Sequence, residues 1–187
     1  MSQFIIALVG PQASGKEVVK KYLIEKHQAE GYKFSQVLRD VLGRLYLPQT
    51  RENLQNLSLD LRNRFGQDLL ANIISVDAQN SKSPLLVIDG VRRLSDISAL
   101  RKLENFRLIN LEVDPQIRYR RLCKRNENEG DKEKTYTEFL EDENRESEKG
   151  IPEVALTADY SIDNNSDLEN LYQQIDLIMN KINHYGE

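Results

Sequence analysis

The sequence is poor in the residues that stabilise disulfide-rich and zinc-binding domains. Its 187 residues include one cysteine, Cys123, two histidines and no tryptophan. A single thiol cannot form an intrachain disulfide, and with only two histidines it cannot complete a Cys/His zinc site. Both kinds of domain are therefore excluded, and the low cysteine content leads us to expect a protein of the reducing cytoplasm.

Long apolar runs and an excess of basic charge are also missing. The apolar run near the start, Phe4–Val9, is far shorter than the ~20 residues of a membrane span, and no basic segment precedes it as in a signal peptide. The formal net charge is -4, from 26 Lys and Arg against 30 Asp and Glu. We therefore expect neither a membrane nor a nucleic acid as partner, but a small molecule, which a local arginine cluster can bind if it is anionic.

Apolar runs and helical patterns alternate along the chain. The runs that predict buried strands are Phe4–Val9, Leu85–Ile88, Phe106–Val113 and Tyr160–Ile162. Apolar residues at helical spacing predict helices over 15–30, 36–45, 50–65, 68–78, 95–103, 115–125, from about 135, and 167–182. This alternation predicts an α/β domain with a parallel sheet.

The motif G-x-x-x-x-G-K lies between the first predicted strand and the first predicted helix. Its residues are Gly10, Pro11, Gln12, Ala13, Ser14, Gly15 and Lys16. In this context the loop's backbone N–H groups curl around a polyphosphate, the helix N-terminus adds a favourable dipole, and the lysine reaches the β and γ phosphates. The motif predicts ATP binding.

Glu17 replaces the Ser or Thr that usually follows the lysine and ligates Mg²⁺. A carboxylate is also a hard oxygen ligand, so Glu17 can take over that role with a longer, charged arm. The alternative is that Glu17 points to solvent while Ser14 or Asp89 holds the metal or its waters. Asp89 ends the second apolar run, where an α/β sheet meets its ligand, and suits outer-sphere metal coordination, proton acceptance from the acceptor or capping of a turn.

Arginines recur near the ends of the predicted elements, where a guanidinium fork can bind phosphate in bidentate fashion or form a surface salt bridge. They are Arg39, Arg62, Arg92, Arg93, Arg118, Arg120, Arg121 and Arg125.

These residues together resemble the P-loop nucleotide kinase superfamily, which includes adenylate kinase, deoxynucleoside monophosphate kinase and dephospho-CoA kinase. The resemblance covers essentially the whole chain. It implies an α/β P-loop NTPase fold with three α/β/α layers, a mainly parallel five-stranded sheet and a short lid. It further implies one domain over residues 1–187, with an acceptor-binding helical insert at about 34–80 and a lid at about 126–134.

The resemblance also implies site residues. Arg39 and Arg92 lie in segments similar to those that bind the acceptor phosphate in adenylate kinases, and Arg62 lies in a stretch similar to deoxynucleoside monophosphate kinases. Arg121 and Arg125 match the lid arginines that close over the donor phosphates. Asn164 ends a segment, 158–164, that is similar to one in dephospho-CoA kinases, where the loop that follows it borders the adenine. The resemblance implies that Arg125 also contacts the adenine.

The likeness extends furthest to the dephospho-CoA-kinase-related family of archaeal P-loop proteins. The shared stretches are Thr50–Leu54, Leu61–Arg62, Ile88–Arg92 and Asp142–Glu146. The Asp-Ala-Asp motif of true dephospho-CoA kinases is absent, and Lys33, Phe34 and Ser35 stand there instead. Some deoxynucleoside monophosphate kinases carry Asp after the P-loop lysine, in the place of Glu17.

The expected function is an ATP- and Mg²⁺-dependent transfer of the γ-phosphoryl group to a nucleotide-like acceptor, with a (deoxy)nucleoside monophosphate favoured over dephospho-CoA. Lys16 and Arg121 would stabilise the transferring charge, and Asp89 would assist catalysis. Arg39, Arg62 and Arg92 would place the acceptor. The alternative from another class is a regulatory module that binds ATP without turning it over.

Overall fold

The computed structural model describes residues 3–125, 132–143 and 148–184. The strands are β1 (Phe4–Val9), β2 (Glu30–Lys33), β3 (Leu85–Asp89), β4 (Phe106–Glu112) and β5 (Tyr160–Asp163). The helices are α1 (Lys16–His27), α2 (Phe34–Arg44), α3 (Arg51–Phe65), α4 (Leu69–Asn80), α5 (Leu94–Ile97), α6 (Pro115–Arg125), α7 (Tyr136–Asp142), α8 (Ile151–Ala155) and α9 (Leu168–His184). None of these helices has the length and apolar character needed to cross a membrane.

Within the described residues, the strands form one five-stranded sheet in the order β2-β3-β1-β4-β5, and every neighbouring pair is parallel. The central strand β1 places Ala7 between Ile88 of β3 and Leu108 of β4. Because all strands run the same way, the loops that follow them lie at one edge of the sheet, where α/β proteins bind their ligands. The predicted α/β fold and parallel sheet are confirmed.

Helices cover both faces of the sheet, which gives the predicted three layers. Ile6 and Leu8 of β1 are fully buried and pack with residues of α1 and α9. The alternate residues, Ala7 and Val9, pack on the other face with residues of α2, α4 and α8. The alternation follows from the two-residue period of a strand, and a strand buried on both faces reads as the unbroken apolar run seen in the sequence.

Two short elements are not predicted from the sequence, β2 and α8. β2 consists of Glu-Gly-Tyr-Lys and is an edge strand that pairs only with β3. Its residues are exposed or half-buried, so it has no apolar run to reveal it. α8 is five residues long, too short for a helical period to be recognised.

The single helix predicted over 95–103 is wrong. This stretch forms α5, which ends at Ile97, and a separate 3-10 turn at Leu100–Lys102. The Ser98 hydroxyl donates to the Ser95 carbonyl at 2.9 Å, and such local side-chain bonds compete with a continuous helix. The predicted start of α3 is confirmed, because the Thr50 side chain accepts from the backbone N–H of Asn53.

Candidate functional site

The loop 10–15 between β1 and α1 has a backbone that only a few residue types adopt. Gly10 and Gly15 have φ of 153° and 98°, and Ala13 also has a positive φ, 60°. A Cβ on Gly10 would lie 2.8 Å from Ser14 Oγ and 3.0 Å from the Leu111 carbonyl oxygen, so a side chain there is excluded by space as well as by conformation. The two glycines of the motif are thus required by the shape of the loop.

The Lys16 ammonium lies across the inside of this loop. Its Nζ donates to the carbonyl oxygens of Gly10 at 2.6 Å and Pro11 at 2.9 Å, and to Ser14 Oγ at 3.4 Å. Lys16 is the first residue of α1, so the positive end of the helix dipole points toward the same region. This arrangement concentrates positive charge where the motif predicts phosphate binding.

Asn164 and Arg121 are joined to the loop by hydrogen bonds, although both are distant from it in sequence. Asn164 follows β5 and is buried, and its Nδ2 donates to the Ser14 carbonyl oxygen at 2.8 Å. The Asn164 carbonyl oxygen accepts from Arg121 Nη2 at 2.9 Å. Three segments distant in sequence, which carry Ser14, Arg121 and Asn164, are therefore connected by direct hydrogen bonds.

Arg121 carries a buried hydrogen-bond donor. Its Nη1 has no hydrogen-bond partner among the described residues, and burial lowers the pKa of the guanidinium. A buried, unpaired cationic N–H is costly unless an anion or another acceptor engages it. The group therefore fits a negatively charged ligand.

A pocket of about 690 Å³ lies next to this network. It is bounded by the loop, by α1, by Arg121 and by the start of α9; its lining residues are Gly15, Val18, Arg121, Asn164, Ser166, Asp167, Leu168, Glu169 and Leu171. The volume is in the range of small-molecule sites, and the lining combines apolar surface with a few polar groups.

Glu17 forms an ion pair with a residue that sequence reasoning gave no role. Its Oε2 lies 2.8 Å from Lys33 Nζ, and both side chains are partly exposed. Lys33 ends β2 and is paired in register with Asp89, the last residue of β3. One oxygen of Asp89 accepts from the Gly90 N–H at 2.7 Å, which also caps the turn after the strand. Both residues of this pair depart from family motifs: Glu17 replaces the usual Ser or Thr, and Lys33 stands where the Asp-Ala-Asp motif would begin. These two departures are the features of the sequence that could have indicated the contact.

Glu17 and Asp89 are the predicted metal ligands. No group of three or more His, Cys, Asp or Glu suited to a metal occurs within residues 3–125, 132–143 and 148–184. Mg²⁺ is commonly held by one or two carboxylates together with waters and substrate phosphates. The two carboxylates beside the loop fit that mode of binding.

Arg92 and Arg62 are connected through a buried carboxylate. Arg62 is only 6% exposed, and its Nη2 lies 2.6 Å from Asp96 Oδ1. The other oxygen of Asp96 accepts from the backbone N–H groups of Arg92 at 2.9 Å and Arg93 at 3.1 Å. The Arg62 guanidinium thus fixes the segment that carries Arg92, whereas the Arg92 side chain is 46% exposed and pairs with Glu148. Arg62 is therefore suited to positioning the segment that carries Arg92, whereas the sequence led us to expect that Arg62 contacts the acceptor directly.

Arg39 lies on the half-buried side of α2. Its Nη1 donates to Gln49 Oε1 at 3.2 Å, and Gln49 Nε2 donates back to the Arg39 carbonyl oxygen at 3.3 Å. Both bonds are exposed, so the guanidinium is accessible from solvent.

Arg118, another of the predicted cluster, is buried and paired with Glu143, which connects α6 to the end of α7.

Several sequence predictions lie outside the described residues. They are the side chain of Arg125, most of the predicted lid, 126–131, and positions 144–146 of the stretch shared with archaeal P-loop proteins.

Comparison with known proteins agrees with this architecture. Residues 6–149 match the family model described as AAA domain. The chain is 31% identical to a UPF0200 protein of Pyrococcus abyssi, over 97% of this chain and 98% of that protein. It is 28% identical to a UPF0200 protein of Staphylothermus marinus, over 97% and 94%. The chain belongs to the AAA domain family and to the UPF0200 proteins.

Solved structures show which fold this UPF0200 protein has. It resembles shikimate kinase from Bacteroides thetaiotaomicron with a TM-score of 0.63 at 12% identity, over 96% of this chain and 98% of that one. It resembles a gluconokinase from Sinorhizobium meliloti with a TM-score of 0.56 at 11% identity, over 92% and 89%. The chain has the same fold as these two kinases, and the predicted α/β P-loop fold is confirmed.

Proposed function

We propose that this UPF0200 protein is an ATP-dependent small-molecule kinase that transfers the γ-phosphoryl group to a nucleotide-like acceptor. The observation that carries the proposal is the buried connection of the loop, Asn164 and Arg121, with an unsatisfied cationic donor beside a pocket of about 690 Å³. Each feature is suited to one part of a nucleoside triphosphate.

The donor nucleotide is assigned to this network. The N–H groups of the loop bind its phosphates, with Lys16 turned from the loop carbonyls onto the β and γ oxygens. Its base and ribose occupy the pocket that Val18 and the start of α9 line. Asn164 holds the loop and Arg121 in one arrangement, so that little reorganisation is required when the nucleotide binds.

The chemistry follows from positioning and electrostatics. Phosphoryl transfer spreads negative charge over three equatorial oxygens, so fixed cations near them lower the barrier. Lys16 and Arg121 would supply this charge from two segments distant in sequence. A Mg²⁺ ion held by Glu17 and Asp89 would neutralise the β and γ phosphates. If the acceptor reacts through a hydroxyl, as dephospho-CoA does, Asp89 would also accept the hydroxyl proton.

The acceptor is assigned to the side of the sheet edge that carries Arg39 and Arg92. Arg92 presents a partly exposed guanidinium on a segment fixed by the buried Arg62 and Asp96 pair. Two guanidinium groups suit a phosphate that is already on the acceptor, which favours a nucleoside monophosphate. Dephospho-CoA, which also carries phosphate, is the second acceptor to test.

The test is ADP production from Mg-ATP in the presence of ribo- and deoxynucleoside monophosphates and dephospho-CoA, each added singly. We expect one class of acceptor to stimulate ADP production, and Lys16→Ala to abolish the stimulation. Lys21→Ala is the matched control, because Lys21 lies on the same helix and pairs at the surface with Glu25. Tight ATP binding without stimulation by any acceptor would contradict the kinase and favour a regulatory ATP-binding module.

A further inference from the structure

Lys33 occupies a position where local structure disfavours a lysine. It is the N-cap residue of α2, and its side chain makes no capping hydrogen bond to that helix. Helix N-caps favour Ser, Thr, Asp and Asn, whose oxygens accept from the first free N–H groups, and a cation there opposes the helix dipole. α2 also has no acidic residue in its first turn to offset this charge. The position is therefore not occupied by lysine for the stability of the helix.

The ion pair of Lys33 with Glu17 does not provide a structural reason either. The contact is 2.8 Å long, but the side chains are 39% and 62% exposed. Exposed ion pairs of this kind contribute little to folding stability, because solvent screens them and two long side chains lose freedom. A residue that violates the local rule without a structural gain is a candidate for function.

The surroundings of Lys33 are those of the proposed transfer site. Glu17 directly follows Lys16, and Asp89 is opposite Lys33 in the β2 and β3 register. Lys20 lies next to the same strand end, where its Nζ donates to the Tyr32 carbonyl oxygen. Burial lowers the pKa of Lys20 most, and the positive charge of Lys33 lowers it further. The negative charges of Glu17 and Asp89 raise it. Two ammonium groups and two carboxylates thus interact beside the phosphate-binding loop.

A carboxylate at position 17 creates an electrostatic requirement that Lys33 can meet. A bound triphosphate would place its terminal charge close to Glu17, and like charges at contact distance repel. The Mg²⁺ ion proposed there would offset part of this repulsion, and a second cation beside Glu17 would offset more of it. The hydroxyl usual at this position causes no such repulsion. The lysine at the end of β2 and the glutamate after the loop lysine therefore act as a compensating pair.

We propose that Lys33 contacts the transferring γ-phosphoryl group, with Glu17 holding its ammonium next to the loop before the nucleotide binds. The inference rests on the proposed function, since it assumes that the loop binds a nucleoside triphosphate. It adds a catalytic residue on the strand β2 and explains why the two motif departures occur together.

The test uses the full chain with Lys33→Ser, Lys33→Arg and the control Lys21→Ser. Binding of Mg²⁺ complexes of ADP and of the β,γ-imido analogue of ATP is measured by calorimetry, which requires no acceptor. We expect Lys33→Ser to weaken the analogue about tenfold relative to ADP, because a charge-assisted bond to the γ group is lost. Lys33→Arg should restore most of the preference, and Lys21→Ser should leave it unchanged.

Thermal unfolding separates this role from a structural one. Serine is a better N-cap than lysine, so Lys33→Ser should raise the Tm by about 2–4 °C while the preference for the analogue falls. An unchanged ratio of the two affinities in Lys33→Ser would overturn the proposal. A higher KM for AMP as the acceptor probe, with the ratio unchanged, would also overturn it and assign Lys33 to the acceptor phosphate.

The proposed function can fail separately. If the wild-type chain binds both nucleotides but no acceptor stimulates turnover, the proposed kinase activity is contradicted. The ratio of the affinities for the ATP analogue and for ADP still tests whether Lys33 contacts the γ-phosphoryl group. If the chain binds neither nucleotide, both proposals are contradicted.

Discussion

The two halves of the candidate site are built differently. The donor half, which comprises the loop 10–15, Lys16, Arg121 and Asn164, is connected by buried and partly buried hydrogen bonds across three segments. The acceptor half, which comprises α2 to α4 and the segment of Arg92, contains an exposed turn between α2 and α3, where Leu45, Tyr46 and Leu47 are 57%, 86% and 49% exposed. A preformed donor half suits a ligand whose phosphates never vary, whereas the more open surface of the acceptor half suits the part of the proposed reaction that differs between kinases.

The largest effect is expected at the buried ion pair inside the acceptor half, which connects α3 to the segment of Arg92. Asp96→Asn leaves the buried Arg62 guanidinium without its counter-ion, and breaking a buried pair typically costs about 3–5 kcal/mol. We expect a loss of that size in the free energy of unfolding, measured by chemical denaturation. Asp60→Asn, on an exposed position of α3, is the control. A loss below about 1 kcal/mol would mean that this pair does not hold α3 to the segment of Arg92.

The next effect is expected at the donor half. Lys16→Ala removes the only part of the loop that carries a full positive charge, and loss of one preorganised donor typically lowers turnover about 10²–10³-fold. Steady-state ADP production measures this fall in turnover. The Tm is expected to change little, because the hydrogen bonds of Lys16 to the loop carbonyls and Ser14 are only partly buried. A KM effect alone, with kcat retained, would be inconsistent with transition-state stabilisation.

A smaller effect should distinguish the acceptor half from the donor half. Arg39→Ala and Arg92→Ala should each raise the acceptor KM about tenfold or more, because a charged hydrogen bond to phosphate is lost, and leave the affinity for ATP unchanged. Arg44→Ala, at the exposed end of α2, serves as the control. Acceptor affinity that survives both substitutions would remove these residues from the acceptor site.

The smallest effect is expected at the exposed turn. Tyr46 has a positive φ of 57° and is 86% exposed. Asn tolerates this conformation better than Tyr, and the side chain has little buried contact to lose. Tyr46→Asn should therefore change the free energy of unfolding by no more than about 0.5 kcal/mol. A larger loss would show that the turn is part of a packed surface.

The sequence predicts the donor half better than the acceptor half for a physical reason. The loop motif, its strand and its helix are contiguous, so their pattern contains the whole phosphate-binding geometry. Asn164 and Arg121 come from distant segments and are indicated only by resemblance, although the structure connects them to the loop directly.

Arg62 illustrates what sequence reasoning misses. The sequence alone does not show whether an arginine is buried or exposed. Arg62 is buried because it pairs with Asp96, which lies 34 residues further along the chain. The same holds for Lys33, whose strand pairs only at the sheet edge and has no apolar run. In both cases the deciding contact is tertiary, so neither periodicity nor motif spacing indicates it.

The most direct test of the central claim follows the phosphoryl group itself. The chain is incubated with Mg²⁺ and ATP labelled in the γ position, together with the panel of nucleoside monophosphates and dephospho-CoA, and the products are separated. We predict that label appears in one class of acceptor, and that Lys16→Ala abolishes this transfer while Lys21→Ala does not. Label that remains in ATP, or appears only in inorganic phosphate with every acceptor, would contradict the assignment of this site as a kinase.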